Sequence, residues 1–185
     1  MQNVASNFDS NSGASTEGSE AIDTNDQFLT FIMNKEEYGV NILCVQEIRG
    51  WESATPLPNS PSHIKGVINL RGTIVPIIDL RQCFSLAAIE YTPVTVVIVL
   101  KVESQKGSRI VGIVVDAVSE VYTIADKDIK PAPDLGDAID TDYVRGLVDV
   151  DKKMVILLEI DRLLTMEKIP DTAGVENVEP DKQIA

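Results

Sequence analysis

The chain has 185 residues, 44% of them hydrophobic, a formal charge of −13, one histidine and two cysteines. That length allows one ordinary domain or two small ones. An acidic chain without a basic stripe is a poor ligand for phosphate backbones, and equally poor for anionic membrane surfaces.

Residues 1–27 carry five acids and no base, and residues 170–185 carry four acids and one Lys, so the segment between them holds only −5. Residues 1–26 are built from Asn, Ser, Gly, Thr and acids, a composition that cannot offset the entropy of ordering. Residues 1–27 and 169–185 are therefore read as disordered acidic tails flanking a folded unit at 28–168. The N-terminus has neither a basic region nor an apolar core of the signal-peptide kind. The longest apolar runs, such as Val94–Leu100, are far short of a bilayer span. The expectation is a soluble, cytoplasmic protein with no direct membrane insertion.

Within the folded unit the chain runs through short β-branched segments: Phe28–Met33, Thr73–Leu80, Val94–Val102, Ile110–Val115 and Met154–Glu159. Turn chemistry bounds them at Asn34-Lys35, Arg71-Gly72, Lys106-Gly107 and Asp151-Lys152. With no long amphipathic helix between them, they predict antiparallel sheet or small barrels. Val96–Leu100 and Ile110–Val115 are apolar on consecutive residues, so both faces of these strands need cover. Val97 and Ile113 are expected in a shared core. Pro76 needs a place near an edge or bulge where its missing N–H is not wanted. Short helices are predicted at Ser60–Ile64, with Pro61 at the first helical position, and at Asp161–Met166.

The chain also repeats itself. Residues 64–81 (IKGVINLRGTIVPIIDLR) match 144–161 (VRGLVDVDKKMVILLEID) without a gap, and 13 of the 18 positions keep their chemical class. Upstream, YGVNILCVQEI (38–48) matches VGIVVDAVSEV (111–121), with Gly39/Gly112, Val45/Val118 and Glu47/Glu120 identical. Two blocks in the same order imply a duplicated unit. Halves of this size bury too little surface to stand alone, so two similar barrels at about 28–90 and 91–168, sharing a core, are expected. The largest disagreement is Arg71-Gly72-Thr73 against Asp151-Lys152-Lys153, a cation replaced by an anion at a turn.

The residues give little support to catalysis or metal binding. His63 has no Cys or Ser partner at a telling spacing, and one His with scattered carboxylates is not a metal site. Cys44 aligns with Ala117 and reads as a small buried apolar residue. Asp79 and Glu159 form a conceivable acid/base pair, but duplication explains them more simply as a repeated strand-end hydrogen bond. Glu47, repeated as Glu120, reads as structural on the same ground. Arg71 has no counterpart, and its planar fork binds carboxylates bidentately.

The stretch GVINLRGTIVPIIDLR (66–81) resembles the CheW family of chemotaxis coupling proteins. The likeness extends through EEYGVNILCVQEIRGW (36–51), VVIVL (96–100), VGIVVDAVSEV (111–121) and DIKPAPDLG (128–136), over roughly residues 27–168. What it implies is an all-β fold of two packed five-stranded SH3-like barrels with short helices. It also implies a non-enzymatic adaptor, with no cofactor, between chemoreceptor cytoplasmic tips and the regulatory domain of the histidine kinase CheA. In the family a groove between the barrels receives the receptor's helical hairpin. Carried onto this sequence, the receptor-contacting positions are Ile42, Val45, Glu47, Ile48, Arg71 and Val96, and the kinase contact falls at the first barrel's end near Lys65 and Leu70. The hairpin at Glu103–Ser108 is longer than the family leads one to expect. Two other classes remain. A barrel enzyme using Asp79 and Glu159 would be stabilised against heat by a small ligand alone. A nucleic-acid-binding barrel would show salt-sensitive retention on DNA or RNA.

Overall fold

The computed structural model describes residues 25–104, 107–133 and 141–166. Ten strands and two short helices follow one another: β1 Asn25–Met33, β2 Glu36–Asn41, β3 Val45–Gly50, β4 Ile64–Leu70, β5 Thr73–Asp79, α1 Leu80–Cys83, β6 Val96–Ser104, β7 Gly107–Val115, β8 Ala117–Ala125, β9 Val144–Val150, β10 Lys153–Leu158 and α2 Ile160–Met166. The expected tails lie outside the described residues, except that 25–27 are not tail but the start of β1. The stretch predicted as a helix at Ser60–Ile64 is instead a turn at Ser62-His63 that runs into β4. There the Ser60 hydroxyl donates to the Leu57 carbonyl at 2.9 Å rather than capping a helix.

Three hairpins are set by two-residue turns with positive φ at both positions: Asn34-Lys35 (50° and 71°), Arg71-Gly72 (52° and 91°) and Asp151-Lys152 (50° and 67°). That is the turn whose twist matches the twist of paired strands. The strands form two curled sheets, β3-β6-β7-β5-β4 and β8-β1-β2-β10-β9. The chain after β3 returns to the far edge through a bridge between Thr55 and Val67, and the chain after β8 does so through Lys130 and Leu147. Each bridge ties the chain that follows one edge strand to the opposite edge and so closes the sheet into a barrel.

The sheets do not divide where the two halves of the sequence do. The central barrel is 45–115. The terminal barrel combines 25–41 with 117–158. Each repeat therefore gives its first hairpin to one barrel and its last three strands to the other, so the barrels are not 28–90 and 91–168. The reason lies in the two parallel pairs, β5 with β7 and β10 with β2, which join one repeat to the other. In both pairs a glycine lies opposite a large residue, Ile77 against Gly112 and Leu157 against Gly39. A Cβ on Gly112 would lie 2.5 Å from Ile77 Cδ1, and one on Gly39 2.9 Å from Leu157 Cδ2. The two identical glycines of the sequence are the places where the repeats interlock.

The exchange also explains the strands that are apolar on both faces. On β6, Ile98 and Leu100 enter a core between the barrels with Ile113, Phe31, Ile78 and Leu158. Val97 and Val99 face the interior of the central barrel with Val75, Ile77 and Val114. Phe28, Ile124, Val148, Val155 and Leu157 fill the terminal barrel. Ile113 thus sits in the shared core as expected, whereas Val97 belongs to the central barrel's own interior. Fully burying each such side chain is worth about 1.5–3 kcal/mol. Pro76 faces Val67, whose N–H and C=O both bond Thr55 and so turn away from β5. The ladder to β7 begins only at Ile77, so no partner needs the missing proline N–H.

Candidate functional site

β3 is an edge strand bonded only to β6. Residues directly opposite in an antiparallel pair share a face, so the register of β3 on β6 sorts the candidate residues. Val45 lies opposite Leu100 and Ile48 opposite Ile98, both of the shared core, while Glu47 lies opposite Val99 of the barrel interior. A bulge between Val45 and Glu47 puts Val45 and Ile48 on one face despite their odd spacing. Val96 is on that face too. Ile42, Val45 and Val96 are half-buried against the shared core, and Ile48 is 45% exposed. Ile42, Val45, Ile48 and Val96 thus form an aliphatic strip where the chain passes from one barrel to the other.

Glu47 and Arg71 belong to the other face. Arg71 occupies the first position of the β4–β5 turn, which Asn69 braces by accepting the Gly72 N–H at 2.7 Å. Arg71 Nη2 lies 3.2 Å from Glu47 Oε2, with the Arg71 side chain 83% exposed. An exposed pair of this kind adds little stability; it orients a guanidinium at the rim. The rim encloses an open hollow of about 250 Å3 whose apolar wall includes Leu70, Val75, Val99 and Ile110. The terminal barrel lacks this arrangement. Glu120 and Asp151 stand where Glu47 and Arg71 stand, and Tyr122 beside them is pushed up by desolvation and a hydrogen bond to Glu120. There the cation comes from Lys153, 3.6 Å from the buried Glu37, which also accepts from the Thr30 hydroxyl.

Of the two expected kinase-contacting residues, Leu70 shares the hollow with Arg71. Lys65 sits at the opposite end of β4, 3.6 Å from Asp79, about 16 Å away at the rise of a strand. They do not mark one end of the barrel. The strand between them is the other edge of its sheet.

Asp79 is buried and fully engaged: it caps α1 through the Arg81 N–H at 3.0 Å and accepts the Tyr91 hydroxyl at 2.8 Å. Its counterpart Glu159 is exposed and on the terminal barrel. What the two copies share is the backbone, Asp79 N–H to His63 and Glu159 N–H to Tyr143, each at 2.7 Å. Burial, then Asp161, Glu159 and Glu103, push the Cys44 thiol up, which lowers its thiolate fraction and reactivity. Among the described residues there is no group of His, Cys, Asp and Glu placed to hold a metal ion, and no helix long and apolar enough to cross a membrane.

Sequence reasoning missed Leu43. It is 82% exposed, in the 3-10 turn Ile42–Cys44 that opens the aliphatic strip. Within the apolar run Ile42–Val45 nothing distinguishes it. The contact of Trp51 with Tyr91, ring centroids 4.4 Å apart, was likewise not legible, because 40 residues separate them.

A family model described as the CheW-like domain matches residues 27–168. The chemotaxis protein CheW of Klebsiella aerogenes is 47% identical over 152 residues, 82% of this chain and 87% of that protein. That of Rhizobium meliloti is 39% identical over 142 residues, covering 77% and 89%. Among solved structures, the scaffolding protein TtCheW from Thermoanaerobacter tengcongensis superposes with a TM-score of 0.67 at 34% identity, covering 76% of this chain and 88% of that one.

Proposed function

The chain belongs to the CheW family of non-enzymatic chemotaxis scaffolds, and on that premise we propose that it couples chemoreceptors to the histidine kinase CheA within signalling arrays. The receptor's helical hairpin lies along Ile42, Val45, Ile48 and Val96, which give it apolar area. Arg71, held by Glu47 on the other side of the edge strand β3, reaches the hairpin past that edge and fixes its register through a charge. An amphipathic helix laid on an apolar strip is a common recognition mode, and the bulge in β3 is what brings this strip to one face. The kinase's regulatory domain meets the central barrel along β4, from Lys65 to Leu70. The unit that carries both contacts is 28–168, extended by 25–27 of β1, and it works in the cytoplasm at membrane-associated receptor arrays.

The observation that carries this reading is the exposed Arg71 at the barrel rim. The second copy keeps Glu47 as Glu120 but puts Asp151 where Arg71 stands. Co-sedimentation with receptor signalling fragments and CheA tests it: wild type enters the complex, and Arg71→Asp, which imports the residue of the second copy, leaves it. Normal assembly of Arg71→Asp would return Arg71 to the status of a solvated turn residue.

A further inference from the structure

The edge strand β3 is held less firmly along its ladder than β8, its counterpart in the other barrel. β8 stays paired with β1 through Ile124 and Ala125, opposite Asp26 and Asn25. The ladder of β3 on β6 stops at Gly50, opposite Val96. The match of 38–48 to 111–121, continued to Ala125, sets Trp51 and Glu52 against Ile124 and Ala125. β3 therefore lacks the pairs that end β8. Its other side faces the hollow beside Gln46 and Glu47. Beyond the exposed Glu47–Arg71 ion pair, the chain is next tied across at Thr55, to Val67. A strand end with few bonds opens locally unless something else holds it.

Trp51 supplies that hold. Its N–H donates to the Thr95 carbonyl at 3.0 Å, and its ring lies on that of Tyr91, centroids 4.4 Å apart. Both rings pack, half-buried, against the interior of the central barrel. Tyr91 is fixed in turn from its far side, where its hydroxyl donates to Asp79 Oδ2 at 2.8 Å. A half-buried tyrosine needs a partner for its hydroxyl, and this one aims the ring. Asp79 is 3% exposed, accepts the Arg81 N–H at 3.0 Å and lies 3.6 Å from Lys65 Nζ. It ends β5, an inner strand with β7 on one side and β4 on the other. The series Asp79, Tyr91, Trp51 thus ties the edge strand to an inner strand that does not pair with it. In the second copy a buried Ile124 stands where Trp51 stands, and Glu159, the counterpart of Asp79, is exposed. The tie lies in the same barrel as Arg71.

We propose that Tyr91 is a positioning residue for partner binding: through Trp51 it fixes the end of β3, and with it the places of Ile48 and of Val96 beside Thr95. This rests on the reading above, in which the receptor hairpin lies on Ile48 and Val96; Tyr91 itself touches no partner. When the competent strand position is populated only part of the time, apparent affinity falls by that fraction.

The test titrates a receptor signalling-tip fragment by calorimetry against wild type, Tyr91→Ala, Tyr91→Phe, Trp51→Ile, Val114→Ala and Arg71→Asp, with native-state hydrogen exchange on the same proteins. Tyr91→Ala should bind about three- to tenfold more weakly and exchange faster along β3, with β4 and β7 unchanged. Trp51→Ile, which imports the residue of the second copy, removes the same contact from the strand side and should weaken binding as much. Tyr91→Phe keeps the ring but loses Asp79, and should fall between Tyr91→Ala and wild type. Val114→Ala loosens the same barrel from β7, where Val114 is 2% exposed, and should bind as wild type does. If Tyr91→Ala and Trp51→Ile bind normally while Arg71→Asp does not, the positioning role is refuted and the receptor reading stands. If Arg71→Asp binds normally as well, the receptor reading fails and takes the proposal with it. An equal loss in Val114→Ala would make Tyr91 one more stabilising contact of the barrel and overturn the proposal.

Discussion

Gly66→Ala should break the closure of the central barrel. A Cβ at Gly66 would lie 2.1 Å from the Thr55 carbonyl oxygen, 2.6 Å from its carbon and 3.0 Å from Pro56 Cα. All three are backbone atoms, so no rotamer change relieves the clash, and the residue's φ of +132° is itself strained for any side chain. Relief requires the Thr55 carbonyl to retreat by more than about 1 Å to reach ordinary contact distance. That breaks both hydrogen bonds of the Thr55–Val67 bridge, 2.8 and 2.9 Å. Each is worth about 0.5–1.5 kcal/mol net and the strained φ costs about 1–3 kcal/mol. The expected loss is about 2–6 kcal/mol. Gly50, with nothing within 4 Å of its would-be Cβ, is the control, and Gly50→Ala should stay within about 0.5 kcal/mol of wild type. Urea unfolding followed by the fluorescence of Trp51, the single tryptophan, reports on the same barrel. A Gly66→Ala midpoint equal to that of Gly50→Ala would refute the argument.

Other outcomes follow from the same packing. Ile113→Ala removes three carbons from the shared core, about 2.4 kcal/mol before any cavity term, and should lose about 3–4 kcal/mol in denaturant unfolding. Val97→Ala, confined to the central barrel, should lose less. Lys152→Gly relieves a φ of 67° and should stabilise by about 0.5–1 kcal/mol, seen as a rise of about 1–3 °C in Tm. Burial, then the hydrogen bond to Asp79, hold the Tyr91 phenol well above the usual 10.0. Its contribution is therefore whole below about pH 10 and falls as pH rises, because the unfolded chain releases a proton that the folded one keeps. Tyr91→Phe should flatten the alkaline slope of the unfolding free energy; an unchanged slope counts against the link.

Much of the architecture was legible because duplication leaves a mark at each aligned residue. Gly39 and Gly112, Asp79 and Glu159, and the tip mismatch at Arg71 all pointed to two copies of one unit. The runs Val96–Leu100 and Ile110–Val115 showed that both strand faces are covered, and they are. The exchange of strands between barrels was not legible, since periodicity tells which face of a strand is apolar but not which strand lies beside it. The same limit hid the separation of Lys65 from Leu70 and the placing of Val97. At the candidate site, Val45, Glu47, Ile48 and Val96 lie on one edge strand and its neighbour, with Ile42 in the 3-10 turn just before. That they fall on two faces depends on the bulge at Val45, which changes register without leaving any signature in residue type. Leu43 escaped notice because exposure is a property of the fold and not of an apolar run.

The most direct test of the account is kinase activation in a reconstituted complex of receptor fragments, CheA and this chain, comparing wild type with Arg71→Asp. Truncating a central interface arginine typically loses about 2 kcal/mol or more, and reversing its charge should exceed that. A double-mutant cycle with Glu47 tells whether Glu47 acts through Arg71 or on the receptor directly. The account predicts that Arg71→Asp keeps its fold and unfolding midpoint but fails to couple, leaving the kinase near its receptor-free activity. Full activation by a normally assembled Arg71→Asp complex would contradict it.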